Sequence, residues 1–203
     1  MKPSSLIAIA TLTATGLLTT AGNAHANDTP LALLLTDFVK HAQYNPYAPH
    51  PGVQWRGGKD AGPTADGKIQ LPGALGKSAM QATLSVERDA QGRTTRVVVL
   101  IPPTGRQKPS TQFRQILKQQ LEPDVNVAVL ADDCSWDEGG MDPWSKDVFM
   151  RLTWPAGQGS LFVRGRLKAW PNATGTIHTA FYFDTEDPSD LIKEMGCRVA
   201  AQK

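Results

Sequence analysis

The sequence predicts an α+β fold with a mainly antiparallel sheet, helices packed on one face of that sheet, and one disulfide bond. Several segments alternate apolar and polar residues with a period of two, which is typical of half-buried strands. Short turns separate consecutive strands, which favours antiparallel pairing. Three other segments have apolar residues at helical spacing, and the two cysteines make an even count.

The first predicted helix begins at Pro30, with Thr29 as its N-cap. Its apolar residues recur at helical spacing and predict one buried stripe: Leu31, Leu34, Leu35, Phe38 and Ala42. Residues 44–77 are then rich in Pro and Gly, which predicts a long loop with short extended pieces near Trp55 and Ile69.

A hairpin is predicted next. Residues 80–87 alternate as a half-buried strand, residues 89–92 form the turn, and residues 95–101 return as a more continuously apolar strand. A second helix follows, capped by Ser110 or Thr111 and stopped by Pro123.

Four more strands and a final helix complete the predicted fold. The strands cover residues 125–131, 148–154, 161–169 and 177–183. The last helix starts at Asp187, and Gly196 stands where a left-handed residue ends a helix. We find no internal repeat in the sequence.

The N-terminal segment resembles a cleavable secretory signal. Lys2 is basic, residues 6–18 are apolar but too few to span a bilayer, and residues 24–26 read Ala-His-Ala. We therefore expect cleavage near Ala26, a periplasmic or secreted protein without a stable membrane anchor, and a single domain over residues 27–203. In that compartment Cys134 and Cys197 are expected to form the disulfide.

Charge and motifs exclude several functions. Without Lys2 the chain has 20 Lys and Arg against 19 Asp and Glu, so nothing attracts it generally to nucleic acid. No nucleophile elbow, phosphate-binding loop or zinc-protease motif occurs. We predict no catalytic residues, cofactor or metal, although a site assembled from distant residues such as His178 stays open.

An acidic segment is the most distinctive feature of the sequence. We expect it to form a loop that Cys134 pins and that binds a partner protein, since Trp residues are common interface anchors. A solvated turn and a calcium site are alternatives, although the spacing does not fit an EF-hand. The candidate residues are Asp132, Asp133, Trp136, Asp137, Glu138, Asp142 and Trp144.

A second candidate surface lies on the strand at residues 161–169. Alternation places basic and aromatic side chains together on one face, where they could bind an acidic protein, a glycan or nucleic acid. A solvated outer sheet face is the alternative. The residues are Phe162, Arg164, Arg166, Lys168 and Trp170.

Residues 72–121 resemble the C-terminal domains of TonB proteins. The resemblance rests on Pro72-Gly73-Ala74-Leu75, the strand–turn–strand with Asp89-Ala90-Gln91-Gly92-Arg93 at its turn, and the helix at residues 113–121. It implies a periplasmic α+β domain that contacts outer-membrane receptors.

The sequence therefore predicts an exported binding protein without catalytic activity, of the immunity or inhibitor type, whose partner is an envelope protein such as a toxin or hydrolase. The alternatives are an envelope hydrolase with an unrecognised site and a TonB-like interaction domain.

Overall fold

The computed structural model describes residues 29–40, 52–56, 64–76, 78–91, 93–102, 109–136, 144–169 and 178–200. The predicted signal segment, residues 1–26, lies outside these ranges, as does Ala42 of the predicted helical stripe. The signal therefore stays a prediction.

The described residues form three α-helices and nine strands. The helices are α1 (Pro30–Lys40), α2 (Pro109–Leu121) and α3 (Ser189–Glu194). The strands are β1 (Val53–Arg56), β2 (Thr64–Pro72), β3 (Ala79–Arg88), β4 (Thr94–Ile101), β5 (Asn126–Trp136), β6 (Trp144–Thr153), β7 (Ser160–Ala169), β8 (His178–Asp184) and β9 (Arg198–Val199).

All nine strands belong to one sheet with the order β1-β2-β3-β4-β8-β7-β6-β5-β9. Every neighbouring pair is antiparallel, which confirms the predicted antiparallel sheet. Within the described residues, one helix followed by a four-stranded meander occurs twice, as α1-β1-β2-β3-β4 and as α2-β5-β6-β7-β8. The structure thus has a repeated order of elements that the sequence does not reveal.

Helices α1 and α2 cover one face of the sheet, which we call the α1/α2 face. Thr29 caps α1 as predicted, because its hydroxyl accepts the N–H of Ala32 at 3.1 Å, and the same hydroxyl donates to the carbonyl of Gln120 in α2 at 2.7 Å. Burial of each large apolar side chain contributes about 1.5–3 kcal/mol. Fully buried examples in this core are Leu31, Leu34, Leu35, Ile69, Leu84, Phe113, Ile116, Leu117, Phe181 and Phe183.

Glycine at position 165 lets α2 approach the sheet closely. A Cβ built on Gly165 would lie 2.8 Å from two ring carbons of Phe113, which is too close for any larger residue without movement. The Phe113 ring packs edge-on to Phe181 with centroids 5.1 Å apart. Strand β7 therefore has no side chain toward α2 at Gly165, which lies between Arg164 and Arg166, and the Phe113 ring occupies that space.

Helix α3 lies on the opposite face, which we call the α3 face. Along β6, Val148 and Met150 pack in the α1/α2 core, whereas Phe149 between them packs with Ile192 of α3. The prediction that all helices share one face is not confirmed, because α3 packs with a different cluster of buried residues from α1 and α2. The short, weakly apolar α3 covers only the part of its face near β5 and β6.

Two predicted boundaries were wrong. The predicted Pro- and Gly-rich loop at residues 44–77 contains all of β1 and β2, because β1 pairs with β2 and β2 pairs with β3. The strands extend into the predicted acidic loop, because β5 continues to Trp136 and β6 begins at Trp144. The additional residues of β5 and β6 pair with each other through their backbones. The alternation of apolar and polar residues in the sequence does not reveal this pairing.

Candidate functional site: a charged groove on the α3 face

Strands β6 and β7 bring one carboxylate opposite two arginines. Asp147 pairs directly with Arg166 across the two strands, and Phe149 pairs with Arg164. Alternation points all four side chains to the α3 face. Cross-strand neighbours of this kind are close enough for their side chains to interact.

The Asp147 carboxylate is fully enclosed and accepts four hydrogen bonds from the two guanidinium groups. Arg166 donates from Nε to Oδ1 at 3.0 Å and from Nη2 to Oδ2 at 3.1 Å. Arg164 donates from Nε to Oδ2 at 2.7 Å, and its Nη2 also bonds Oδ2. Asp147 has 0% side-chain exposure, whereas the arginines retain 23% and 24%. A buried charge is stable only when it is paired. The four hydrogen bonds supply that pairing and hold both guanidinium groups in place.

A second ion pair lies next to this cluster. Arg96 of β4 and Asp184 of β8 are direct cross-strand partners, and Arg96 donates from Nε to Oδ2 of Asp184 at 2.9 Å. Glu87 accepts a longer bond from Arg96 at 3.4 Å. Partial burial opposes the charged form of Arg96, but its hydrogen bond to Asp184 and the nearby carboxylates raise its pKa above the ordinary value.

Aromatic side chains line the space between these charges and α3. The Arg164 guanidinium lies 5.6 Å from the ring centroid of Phe149, and that of Arg151 lies 5.9 Å from the centroid of Phe162. Such contacts add cation–π attraction and hold the guanidinium groups against the rings. Tyr182 of β8 is half-buried in the same region.

The predicted disulfide is present and holds α3 in place. Cys134 of β5 joins Cys197 with an S–S distance of 2.05 Å. Gly196, just before it, has the predicted positive φ, 61°. Leu191 and Met195 pack against the small cluster that contains Phe149 and Cys134. The covalent bond therefore anchors a six-residue helix that buries only Ile192.

These elements enclose a groove with a volume of about 410 Å³, a size typical of ligand-binding clefts. At the start of α3, the Asp187 carboxylate accepts hydrogen bonds from the hydroxyl and backbone N–H of Ser189, and both lower its pKa. The groove is lined by Arg96, Phe149, Phe162, Val163, Arg164, Arg166, Tyr182, Asp184, Glu186, Asp187, Pro188, Asp190 and Leu191. We call it the α3 groove.

The second candidate surface of the sequence analysis forms part of this groove. Phe162, Arg164 and Arg166 lie together on the α3 face and line the groove. Lys168 shares their face by alternation, and Trp170 lies outside the described residues. Their role in binding stays a prediction.

The acidic candidates are placed differently from the prediction. Asp132 and Asp133 belong to β5 rather than to a loop, and Asp132 forms an ion pair with Arg198 of β9 at 2.9 Å. Asp133 has a φ of 58° at a point where the β5–β6 register shifts. Trp136 and Trp144 end the facing strands, whereas Asp137, Glu138 and Asp142 lie outside the described residues.

Sequence reasoning missed Asp147 and most of the groove lining, including Arg96, Tyr182 and Asp184. Asp147 lies just before the strand predicted at residues 148–154, and Arg96 lies in a strand predicted from its apolar residues. The excess of cations on β7 was the available signal, because two half-buried arginines need a carboxylate partner.

Metal binding finds no support in the part of the chain that is described, which contains no group of three or more potential His, Cys, Asp or Glu ligands. Three of the acidic residues considered for calcium lie outside that part, so that alternative is untested. Among the described helices, none has both the length and the hydropathy needed to cross a membrane.

Comparison with known proteins gives no match: no family model fits the chain, and no curated protein or solved structure resembles it. The resemblance of residues 72–121 to TonB C-terminal domains is therefore untested and stays a prediction.

Proposed function

We propose that this chain is an exported, non-catalytic binding protein that recognises and neutralises a protein partner in the cell envelope, such as a toxin or a hydrolase. The observation that carries the proposal is the α3 groove, where a buried carboxylate fixes two arginines beside aromatic side chains. Arg and aromatic residues supply much of the binding energy at protein interfaces.

The groove is suited to recognition because its parts are fixed before a partner arrives. Asp147 holds the guanidinium groups of Arg164 and Arg166, and the disulfide holds α3. A site that is already ordered loses less conformational entropy on binding. This arrangement supports an inhibitor-type role, in which tight binding matters and no turnover is needed.

The disulfide also supports an oxidising compartment such as the periplasm. Disulfides persist mainly in exported proteins. Intact-mass measurement of the protein from its native host tests this part of the proposal. It should show a chain beginning at Asn27 without free thiols; a full-length chain with two free thiols would contradict it.

Affinity capture from the envelope fraction tests the groove itself. We expect the wild-type protein to retain a partner, and Tyr182→Ala to weaken its binding at least tenfold, because an aromatic anchor is worth about 2 kcal/mol or more at an interface. The matched control is Thr83→Ala, which changes an exposed residue of β3 outside the groove. Equal binding by Tyr182→Ala and the wild type would remove the groove from the proposal.

The same experiment separates the other candidates. A double variant with Trp136→Ala and Asp137→Asn tests the acidic segment independently of the groove. Capture of an outer-membrane receptor would favour the TonB-like alternative. Turnover of cell-wall or lipid substrates by the purified protein, lost in His178→Ala, would favour the hydrolase.

A further inference from the structure

Three arginines and Asp184 line the sheet side of the α3 groove, whereas the charged residues on its α3 side are all carboxylates. On the sheet side, Arg164 and Arg166 line the groove, and both donate to the carboxylate of Asp147. On the α3 side, Glu186 and Asp190 are exposed, and neither forms an ion pair with any residue that the structure describes. The groove therefore presents the Arg164 guanidinium on its sheet side and the Glu186 and Asp190 carboxylates on its α3 side.

Arg164 retains hydrogen-bonding capacity toward the groove. Its Nε and Nη2 donate to Asp147, and Nη2 also lies 3.9 Å from the sulfur of Met195. Its Nη1 donates to no residue in the described ranges. A guanidinium held on one side in this way can donate from its other side to a second carboxylate.

The two sides select against ligands of a single charge sign. A strongly acidic segment would be attracted by Arg164 but repelled by Glu186 and Asp190. A strongly basic segment would be attracted by Glu186 and Asp190 but repelled by Arg164. Charges more than about 8–10 Å apart are largely screened at physiological ionic strength, so this selection depends on the charges that line the groove itself. Half-buried Phe162 and Tyr182 offer apolar contact along the groove.

We propose that the α3 groove binds a partner segment of mixed charge, with an acidic side chain at Arg164, a basic side chain at Glu186 and Asp190, and an apolar residue between them. This rests on the proposed function and names the chemistry of the partner segment that it requires.

Binding of short peptides, followed by amide chemical shifts in the ¹⁵N-labelled protein, tests this charge selection. The probes are acetylated and amidated tripeptides: Glu-Leu-Arg and its reverse Arg-Leu-Glu as mixed probes, and Glu-Leu-Glu and Arg-Leu-Arg as single-sign probes. We expect a mixed probe to bind at least fivefold tighter than either single-sign probe, with shifts at Arg164 and Asp190. The preference should shrink in 0.5 M salt, because the ions screen both charged sides of the groove.

Matched variants locate the effect. The double variant with Glu186→Gln and Asp190→Asn should bind the mixed probe no better than Glu-Leu-Glu. The control with Asp66→Asn and Glu194→Gln also removes two exposed carboxylates, but neither lines the groove, so it should keep the preference. Absence of binding, equal binding of all probes, or an unchanged preference in the groove variant would overturn the inference.

The outcomes distinguish this inference from the proposed function. If partner capture depends on Tyr182 while the tripeptides show no charge preference, the groove binds a partner of different chemistry. If the tripeptides show the preference but capture ignores Tyr182, the mixed-charge site exists and the proposed role of the groove in partner capture is wrong.

Discussion

Replacing Asp147 by asparagine should destabilise the protein more than any other single charge change in the groove. The substitution keeps the shape of the side chain but removes the buried negative charge that both Arg164 and Arg166 contact, and these arginines are themselves largely buried. Loss of one partner from a buried ion pair costs about 3–5 kcal/mol. With a shift of about 2–4 °C per kcal/mol for a domain of this size, the melting temperature should fall by roughly 10 °C.

The matched control is Asp184→Asn. Asp184 also pairs with an arginine on the α3 face, but it is 22% exposed and its partner Arg96 is 43% exposed. Arg96 also keeps its bond to Glu87, so water and Glu87 compensate for part of the lost interaction. Removal of such a partly exposed pair costs about 1 kcal/mol or less. Urea unfolding of both variants, followed by circular dichroism, measures the difference. Equal losses of unfolding free energy would show that burial of Asp147 does not make its charge essential.

A triple variant separates stability from recognition. Changing Asp147→Leu, Arg164→Met and Arg166→Met together replaces the charged cluster with apolar side chains. Such replacements of buried ion clusters are often neutral or stabilising by about 1–4 kcal/mol. We expect a folded protein that no longer binds its partner. Retained binding would show that the cluster serves only the fold.

Three further predictions concern the elements around the groove. Gly165→Ala should cost about 1–3 kcal/mol of unfolding free energy, because the new methyl group would overlap the Phe113 ring; urea denaturation will show whether α2 tolerates it. Replacing Cys134 and Cys197 by serine should lower the free energy of unfolding by roughly 4 kcal/mol, because the disulfide joins residues 63 positions apart. Amide hydrogen exchange should accelerate first in α3. Uniform acceleration throughout the sheet would contradict the local anchoring of that helix. The pKa of Asp187 lies below its ordinary value of 3.8, because Ser189, the first residue of α3, donates two hydrogen bonds to its carboxylate. The ionised carboxylate therefore stabilises α3 above pH 3.8, and this stabilisation is lost as the pH falls through the lowered pKa. Asp187→Asn should increase amide exchange in α3 at neutral pH but not in strong acid, and an NMR titration midpoint at or above 3.8 for Asp187 would contradict this.

Local patterns in the sequence predicted the elements well where one face of a strand is buried. The alternation in β3 and β7 is visible in the residue types, and the caps of α1 and α3 follow from Thr29 and Gly196. The disulfide followed from the even cysteine count. These features depend on a few neighbouring residues or on composition, and both can be read without knowledge of the fold.

Long-range pairing could not be predicted in the same way. Strand β4 pairs with β8, although Arg96 and Asp184 are 88 residues apart, and no local pattern specifies that contact. The side on which α3 packs depends on Phe149, which the sequence presents only as one apolar residue in an apolar strand. For the same reason the sequence predicted only a basic and aromatic surface on β7, and neither the groove nor the carboxylate of Asp147 that fixes its arginines.

Site-specific photo-crosslinking tests whether the α3 groove is the surface that binds the partner. The photoreactive amino acid p-benzoylphenylalanine replaces Tyr182 in the groove or, as a control, the exposed Thr83 on β3, and the cells are irradiated before the envelope is fractionated. We expect a discrete crosslinked species from position 182 and none from position 83. The same species from both positions, or from position 83 alone, would contradict the assignment of the α3 groove as the binding surface.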